Sequence, residues 1–261
     1  MSSSCRTCGT AGCADTAHGA SDRSAVKTIA LAGNPNVGKT SVFNALTGLR
    51  QHTGNWPGKT VLRAEGAYSH NDRRYTVVDL PGTYSLSPNS AEEEVARDFI
   101  CFGQPDVTVV VVDATALERN LNLALQVAEI TSQLVVCVNL LDEARRKKIT
   151  VDLEKLEREL GVPVVGTVAR TRRGISELKD MISRVAAREI IPQPQEIRYS
   201  QAIEKAVAEI TPQLELLVDG KLSRRWVALR ILEGDSSILS KIAEYLAASQ
   251  GFLSPPVRIE V

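Results

Sequence analysis

The sequence lacks an excess of either charge. Lys plus Arg and Asp plus Glu number 31 each in 261 residues. A balanced chain creates no global field that would gather nucleic acid or an anionic membrane surface. It also lacks any run of about 18 apolar residues, so nothing in it reads as a membrane span. A secretory signal is missing too, because the small, polar N-terminus has no apolar core segment. The five cysteines are odd in number and show no paired framework, which fits a reducing compartment. Cys101 and Cys137 lie inside apolar runs and read as buried thiols.

What remains is ordinary globular material, 43% hydrophobic and 24% charged. The length suits one large domain, or a medium domain with a small one. Residues 1–25 read as a flexible extension. Its Cys5, Cys8, Cys13 and His18 have spacing that tetrahedral zinc, or Fe²⁺, could use, though a disordered tail with free thiols is the simpler reading. From Val26 onward, short β-branched runs (28–32, 61–68, 74–80, 107–113, 134–139, 162–168) alternate with helical patterns (39–47, 91–102, 117–130, 153–160, 175–187). That alternation predicts an α/β domain with a mixed six-stranded sheet and helices on both faces. The linker "SHNDRR" is too short for a crossover, so the second and third strands form a hairpin. Pro192 and Pro194 mark a boundary between a domain over 26–192 and a small all-helical unit over 193–261. In that unit Tyr199, Ile203, Ala206, Ile210, Leu214 and Leu217 fall on one helical face, and Pro212 predicts a kink or a fresh helix start.

Four motifs carry chemistry. Gly33-x4-Gly38-Lys39-Thr40 follows an apolar strand and opens a helix. This is the context in which glycine lets backbone N–H groups close around a phosphate, with Lys39 reaching the β- and γ-phosphates and Thr40 ligating Mg²⁺. "DLPG" over 79–82 ends a strand about 40 residues on. There Asp79 can hold Mg²⁺ through a water, and the Gly82 N–H can meet the γ-phosphate. "NLLD" over 139–142 ends another strand. Asp142 suits the N1–H and N2–H₂ of guanine, Asn139 ties the loops together, and Leu140 stands where a lysine stem usually covers the base. Thr60, in "GNWPGKT", can add its hydroxyl to Mg²⁺ when a γ-phosphate is present, which makes the loop over 51–61 a switch.

With the stretches "GNPNVGKTSVFNALTG", "HTGNWPGKTV", "VDLPGTYSL", "NLLDEA" and "RRWVALRILEGD" in place, the chain resembles the cytosolic N-terminal part of the FeoB ferrous-iron transporter family, over about residues 26–250. The resemblance implies a P-loop GTPase domain that binds GTP or GDP with Mg²⁺, and a helical spacer that favours the GDP-bound state. By the same resemblance Asn36 coordinates a K⁺ ion that activates hydrolysis, where other GTPases receive an arginine finger. The nucleotide is then expected at Gly33, Asn34, Pro35, Asn36, Val37, Gly38, Lys39, Thr40 and Ser41. Gly58, Lys59 and Thr60 join from the switch loop, Asp79, Leu80, Pro81 and Gly82 from the second motif, and Asn139, Asp142 and Ala169 from the base site. Asn36, Lys39, Thr60 and Gly82 take the catalytic roles. Mg²⁺ falls to Thr40, Thr60 and Asp79.

Two departures stand out. Thr83 occupies the place where many GTPases carry a water-orienting Gln, so hydrolysis is expected to be slow. "VARTRRG" replaces the usual base loop, leaving the Ala169 N–H to meet the guanine oxygen. The expected partner is a membrane-embedded Fe(II) transport domain, on the same chain or a separate one, at the cytoplasmic face of a bacterial inner membrane. Self-association is open, and no nucleic acid is expected. Two other readings share the motifs: a ribosome- or tRNA-maturation GTPase, for which no RNA-binding appendage is visible, and a nucleotide sensor with negligible hydrolysis. The basic run 145–148 reads as a solvated helix end, the cluster Arg170, Arg172 and Arg173 as phosphate support or none, and Trp56 as either an exposed anchor or a packed side chain.

Overall fold

A computed structural model describes residues 26–49, 51–86, 90–218 and 220–249. The cysteine cluster at 5–18 lies outside them. The chain runs β1 (Lys27–Gly33), α1 (Lys39–Thr47), β2 (Gln51–Asn55), β3 (Leu62–His70), β4 (Arg73–Asp79), α2 (Ala91–Phe102), β5 (Val107–Asp113), α3 (Leu117–Ile130) and β6 (Leu134–Asn139). It continues through α4 (Leu141–Arg146), α5 (Leu153–Leu160), β7 (Val164–Gly166) and α6 (Ile175–Ala186). The last elements are α7 (Gln201–Ile210), α8 (Glu215–Val218), α9 (Arg224–Glu233) and α10 (Ser236–Ser249).

The sheet has seven strands in the order β2-β3-β4-β1-β5-β6-β7. The five from β4 to β7 are parallel, and β2 and β3 add antiparallel neighbours at one edge. Six strands were expected. The seventh, β2, is "QHTGN", a polar stretch with no alternation to betray it, and pairing with β3 alone makes it a strand. The loop read as a switch is therefore a hairpin. Its tip is the turn Trp56–Lys59, closed by Lys59 N–H to Trp56 O at 3.0 Å, with Pro57 and then Gly58 at φ 67°. Those are the two residues a type II turn asks for. The expected hairpin between β3 and β4 also forms, with Asn71 and Asp72 both at positive φ, as a tight two-residue turn requires.

Alternation along the central strands feeds two cores. Ile29, Leu31, Val109, Val111 and Cys137 face α1 and α6, while Ala30, Ala32, Val110, Val112 and Val138 face α2 and α3. The second core continues into the C-terminal helices through Leu214, Trp226, Leu229, Ile238 and Ile242. Those helices therefore share a core with the sheet domain. The stripe expected on α7 is corrected. Val207, Leu214 and Val218 are buried with Ile210 packed on them, whereas Ile203 is 38% and Leu217 57% exposed. A 3₁₀ turn over Thr211–Leu214, with Pro212 in its first turn, breaks the 3.6-residue period on which that face was projected. The connection between α6 and α7 is irregular but strapped down. Gln193 N–H bonds Gly161 O at 2.9 Å and Gln195 N–H bonds Leu160 O at 3.0 Å. Gly161, at φ 68°, leaves room for this, since a Cβ there would lie 2.0 Å from Gln193 O.

Candidate functional site

Three segments meet at the carboxyl ends of β1, β4 and β6, where open parallel sheets place their ligands. The loop after β1 turns through Asn36 (φ 67°) and Gly38 (φ 79°) before α1 begins. Asn tolerates the left-handed region better than other side chains do, and Asn36 is exposed there. Gly38 has no alternative, because a Cβ would sit 2.5 Å from the Asn139 amide nitrogen. Gly33 also needs to be glycine, since a Cβ would lie 2.7 Å from Val111 O. Thr40 and Ser41 stand exposed in the first turn of α1, whose unpaired N–H groups favour an anion.

Asn139 is the hub. It is 1% exposed. Its amide donates to Val37 O at 3.1 Å, and its oxygen accepts from the Thr167 hydroxyl and the Ala169 N–H, each at 3.1 Å. One side chain thus fixes the phosphate loop, the end of β6 and the loop after β7. The Ala169 N–H, expected to face guanine, lies on Asn139, so a guanine oxygen would have to share it. Asp142 pairs with Arg170 at 3.1 Å, an exposed contact in which the arginine side chain is 75% exposed. Arg170 thus reaches from the loop after β7 to the start of α4.

Lys39 donates to the Asp79 carboxylate and, at 2.5 Å, to Leu80 O. Burial raises the Asp79 pKa, and Lys39 pulls it the other way. Gly82 is exposed and lies against Pro35, with Cβ space of only 3.4 Å. The next residue, Thr83, is buried. Its N–H reaches Gly33 O at 3.2 Å, and its hydroxyl is held by Ser85 O and Glu93 at 3.3 Å. A side chain so engaged fastens the loop. It has no free group with which to orient water.

The structure does not bring Lys59 to the phosphate loop. Its ammonium is 2.5 Å from Glu94 of α2, and Thr60 beside it is exposed. Trp56 is packed, 6% exposed and edge-on to Phe99 at 5.4 Å. The basic run 145–148 is exposed at the end of α4. Sequence reasoning missed Gln126, whose oxygen accepts from Leu86 N–H at 2.7 Å and Ser85 Oγ at 3.3 Å, pinning the segment after Gly82. A glutamine one turn from the end of a helix gives no signal of that kind. Asn34, expected at the nucleotide, is 3% exposed with neither amide atom partnered among the described residues.

These features fit a nucleotide and its metal ions. Asn34 leaves buried polar atoms without partners, a costly arrangement that a bound group can relieve. Gly38 keeps the cradle open, and Thr40 and Asp79 offer the hard oxygen ligands that Mg²⁺ prefers.

Known proteins are similar to this chain in sequence and fold. A family model described as "Ferrous iron transport protein B" matches residues 27–182, and one described as "FeoB cytosolic helical domain" matches 199–251. The Fe(2+) transporter FeoB of Escherichia coli is 42% identical over 212 residues, covering 80% of this chain and 27% of that protein. A fusion of Fe(2+) transport protein A with FeoB from Porphyromonas gingivalis is 42% identical over 220 residues, covering 83% and 26%. The chain thus spans about a quarter of the length of these curated relatives. Among solved structures, the cytosolic domain of T. maritima FeoB in a GDP form matches with TM-score 0.76 and 33% identity, covering 90% of this chain and 88% of that one. The cytosolic domain of L. pneumophila FeoB gives 0.72 and 32%, covering 84% and 94%. Among the described residues no helix is long and apolar enough to cross a membrane.

Proposed function

The chain belongs to the ferrous iron transport protein B family, and on that premise we propose that it binds and slowly hydrolyses GTP as the regulatory module of a bacterial Fe(II) membrane transporter. The observation that carries the reading is the Asn139 hub. One buried amide ties the phosphate loop to the loops after β6 and β7, which supports a nucleotide held between them. Domain limits of 26–192 for the GTPase part and 193–261 for the helical spacer belong to the same proposal. So does a place at the cytoplasmic face of the inner membrane, beside the transport domain on this or another chain.

On binding GTP, Lys39 leaves Asp79 and Leu80 O for the β- and γ-phosphates. The α1 N–H groups and the exposed Thr40 face the phosphates, and Gly33 to Ser41 wrap them. Asp142 exchanges Arg170 for the guanine edge. Thr60 moves in with the β2–β3 hairpin, and Gly82 offers its N–H to the γ-phosphate from its seat on Pro35. Mg²⁺, held by Thr40, Thr60 and, through water, Asp79, would neutralise the phosphate oxygens, and K⁺ at Asn36 would add charge where it develops in the transition state. The inward-turned Thr83 supports slow hydrolysis. Single-turnover GTP hydrolysis in K⁺ against Na⁺ tests the reading. Stimulation by K⁺ that Asn36→Ala removes is expected, and equal rates in both salts would contradict it.

A further inference from the structure

Side chains of α2, α3 and α9 line a cavity of 150 Å³, together with Leu86 and Tyr199. Its donors outnumber the acceptors left for them. Arg97 of α2 is 3% exposed. Its Nε and Nη2 both donate to Asp98 Oδ1, at 3.0 and 2.9 Å, and its Nη1 has no partner among the described residues. Asp98 does not serve this guanidinium alone, because the Lys241 ammonium lies 2.5 Å from its other oxygen. Arg230 of α9 gives Nη1 to Glu233 at 2.8 Å and keeps a buried, unpartnered Nε. Gln126 of α3 spends its oxygen on Ser85 and Leu86, and its amide N–H groups meet no acceptor among the described residues. Both carboxylates in the lining are engaged, Glu233 by Arg230 and Glu129 by the Tyr199 hydroxyl at 2.7 Å.

We propose that this cavity binds a small, singly charged inorganic anion of the class of chloride or nitrate, held by Arg97 Nη1 and Arg230 Nε beside the Gln126 amide. A guanidinium N–H buried without an acceptor is costly, and two of them line one cavity. Water would bring two hydrogens of its own to a lining whose acceptors already have donors, whereas an anion only accepts. The single charge follows from the neighbours. Two arginines face two carboxylates, and the pull of Lys241 on Asp98 leaves Arg97 with surplus positive charge, enough for one negative charge and not for two. The small size follows from the volume, which is that of about five waters. None of the lining residues belongs to the nucleotide set, so the site goes beyond the guanine-nucleotide reading and stands without it. The bound anion ties α9 to α2 and α3.

Thermal melts of the full 261-residue chain in sodium chloride or nitrate, against the bulkier gluconate at equal ionic strength, read the binding. An anion at about ten times its dissociation constant raises Tm by about 3 °C. Iodide, an anion of the same charge that quenches indole, gives a local signal through Trp226, which lines the cavity and is 3% exposed. In a Trp56→Phe background Trp226 is the remaining tryptophan, and its quenching saturates with iodide instead of rising linearly as collisions would make it. The phosphate loop is a second place where an anion can sit, so Lys39→Ala is the control, and both signals survive it. Both are lost in Arg230→Gln, and in Arg97→Gln if its melt shows it folded. No gain over gluconate, linear quenching, a gain that persists in Arg230→Gln, or one that vanishes with Lys39→Ala would each overturn the site.

Discussion

Asn139→Ala should unfold the site before it spoils the chemistry, whereas Asp142→Ala, three residues away, should do the reverse. Asn139 makes three buried hydrogen bonds, to Val37 O, the Thr167 hydroxyl and the Ala169 N–H. Thr167 keeps Cys137 Sγ as a second partner at 3.3 Å, but the Ala169 N–H and Val37 O are left without this amide. Lost bonds of about 1 kcal/mol each and one stranded donor at about 1–3 kcal/mol sum to about 3–5 kcal/mol. In a body of this size that lowers Tm by about 10 °C. Among the described residues Asp142 has only the exposed Arg170 as a side-chain partner, worth about 0–1 kcal/mol, so its loss moves Tm by no more than about 2 °C. Its removal should cost about 100-fold in GDP affinity, because guanine loses its charged acceptor. Thermal melts with and without GDP, beside GDP titrations of both variants, measure the pair. An unchanged Tm for Asn139→Ala, or equal destabilisation by the two, would refute the division of labour between hub and reader.

Three further outcomes follow from the same geometry. Gly38→Ala meets both a left-handed φ and the Asn139 amide 2.5 Å away, so GDP affinity should fall by more than about 30-fold; Gly58→Ala, at φ 67° in open space, should cost only the backbone penalty of about 1–2 kcal/mol. Hydrogen bonds from Lys241 first and then Lys59 lower the Glu94 pKa from 4.5 to about 2. The stability this brings is complete above pH 4.5 and is lost as the pH falls toward 2. It amounts to about 1–2 kcal/mol once solvent screening is allowed for, and urea titrations across that range should show the loss in the unsubstituted chain but not in Glu94→Gln. Burial raises the Cys101 thiol and pushes Cys137 up to about 12; neither should be alkylated at pH 8 until the chain unfolds, as mass spectrometry of iodoacetamide-treated protein would show.

Most of the fold could be read because its signals are local. Helices α1, α2, α3 and α5 begin and end where the apolar period does, and β5 is an unbroken β-branched run ending at Asp113. The phosphate loop was legible for the same reason, since two glycines and a Lys-Thr pair mean little else between a strand and a helix. What escaped depends on partners far along the chain. Strand β2 exists through β3, and the α7 stripe was displaced by a 3₁₀ turn whose phase a helical projection does not follow. The ion pair between Asp142 and Arg170 was not legible, because an exposed arginine in a loop has many uses. Lys59 was placed at the nucleotide from its neighbours in sequence, and its ion pair with Glu94 spans 35 residues. The grip of Glu94 on Lys241 spans 147, beyond the reach of any local pattern.

The central claim is that the Asp142 carboxylate reads guanine above the loop locked by Asn139. Titration of GDP and xanthosine diphosphate into the unsubstituted chain and into Asp142→Asn tests it most directly. An amide in place of the carboxylate offers a donor where xanthine carries an oxygen and guanine an amino group. The account predicts that the unsubstituted chain prefers GDP and that Asp142→Asn reverses the preference. Equal binding of the two nucleotides by the unsubstituted chain, or an undiminished preference for GDP in Asp142→Asn, would contradict it.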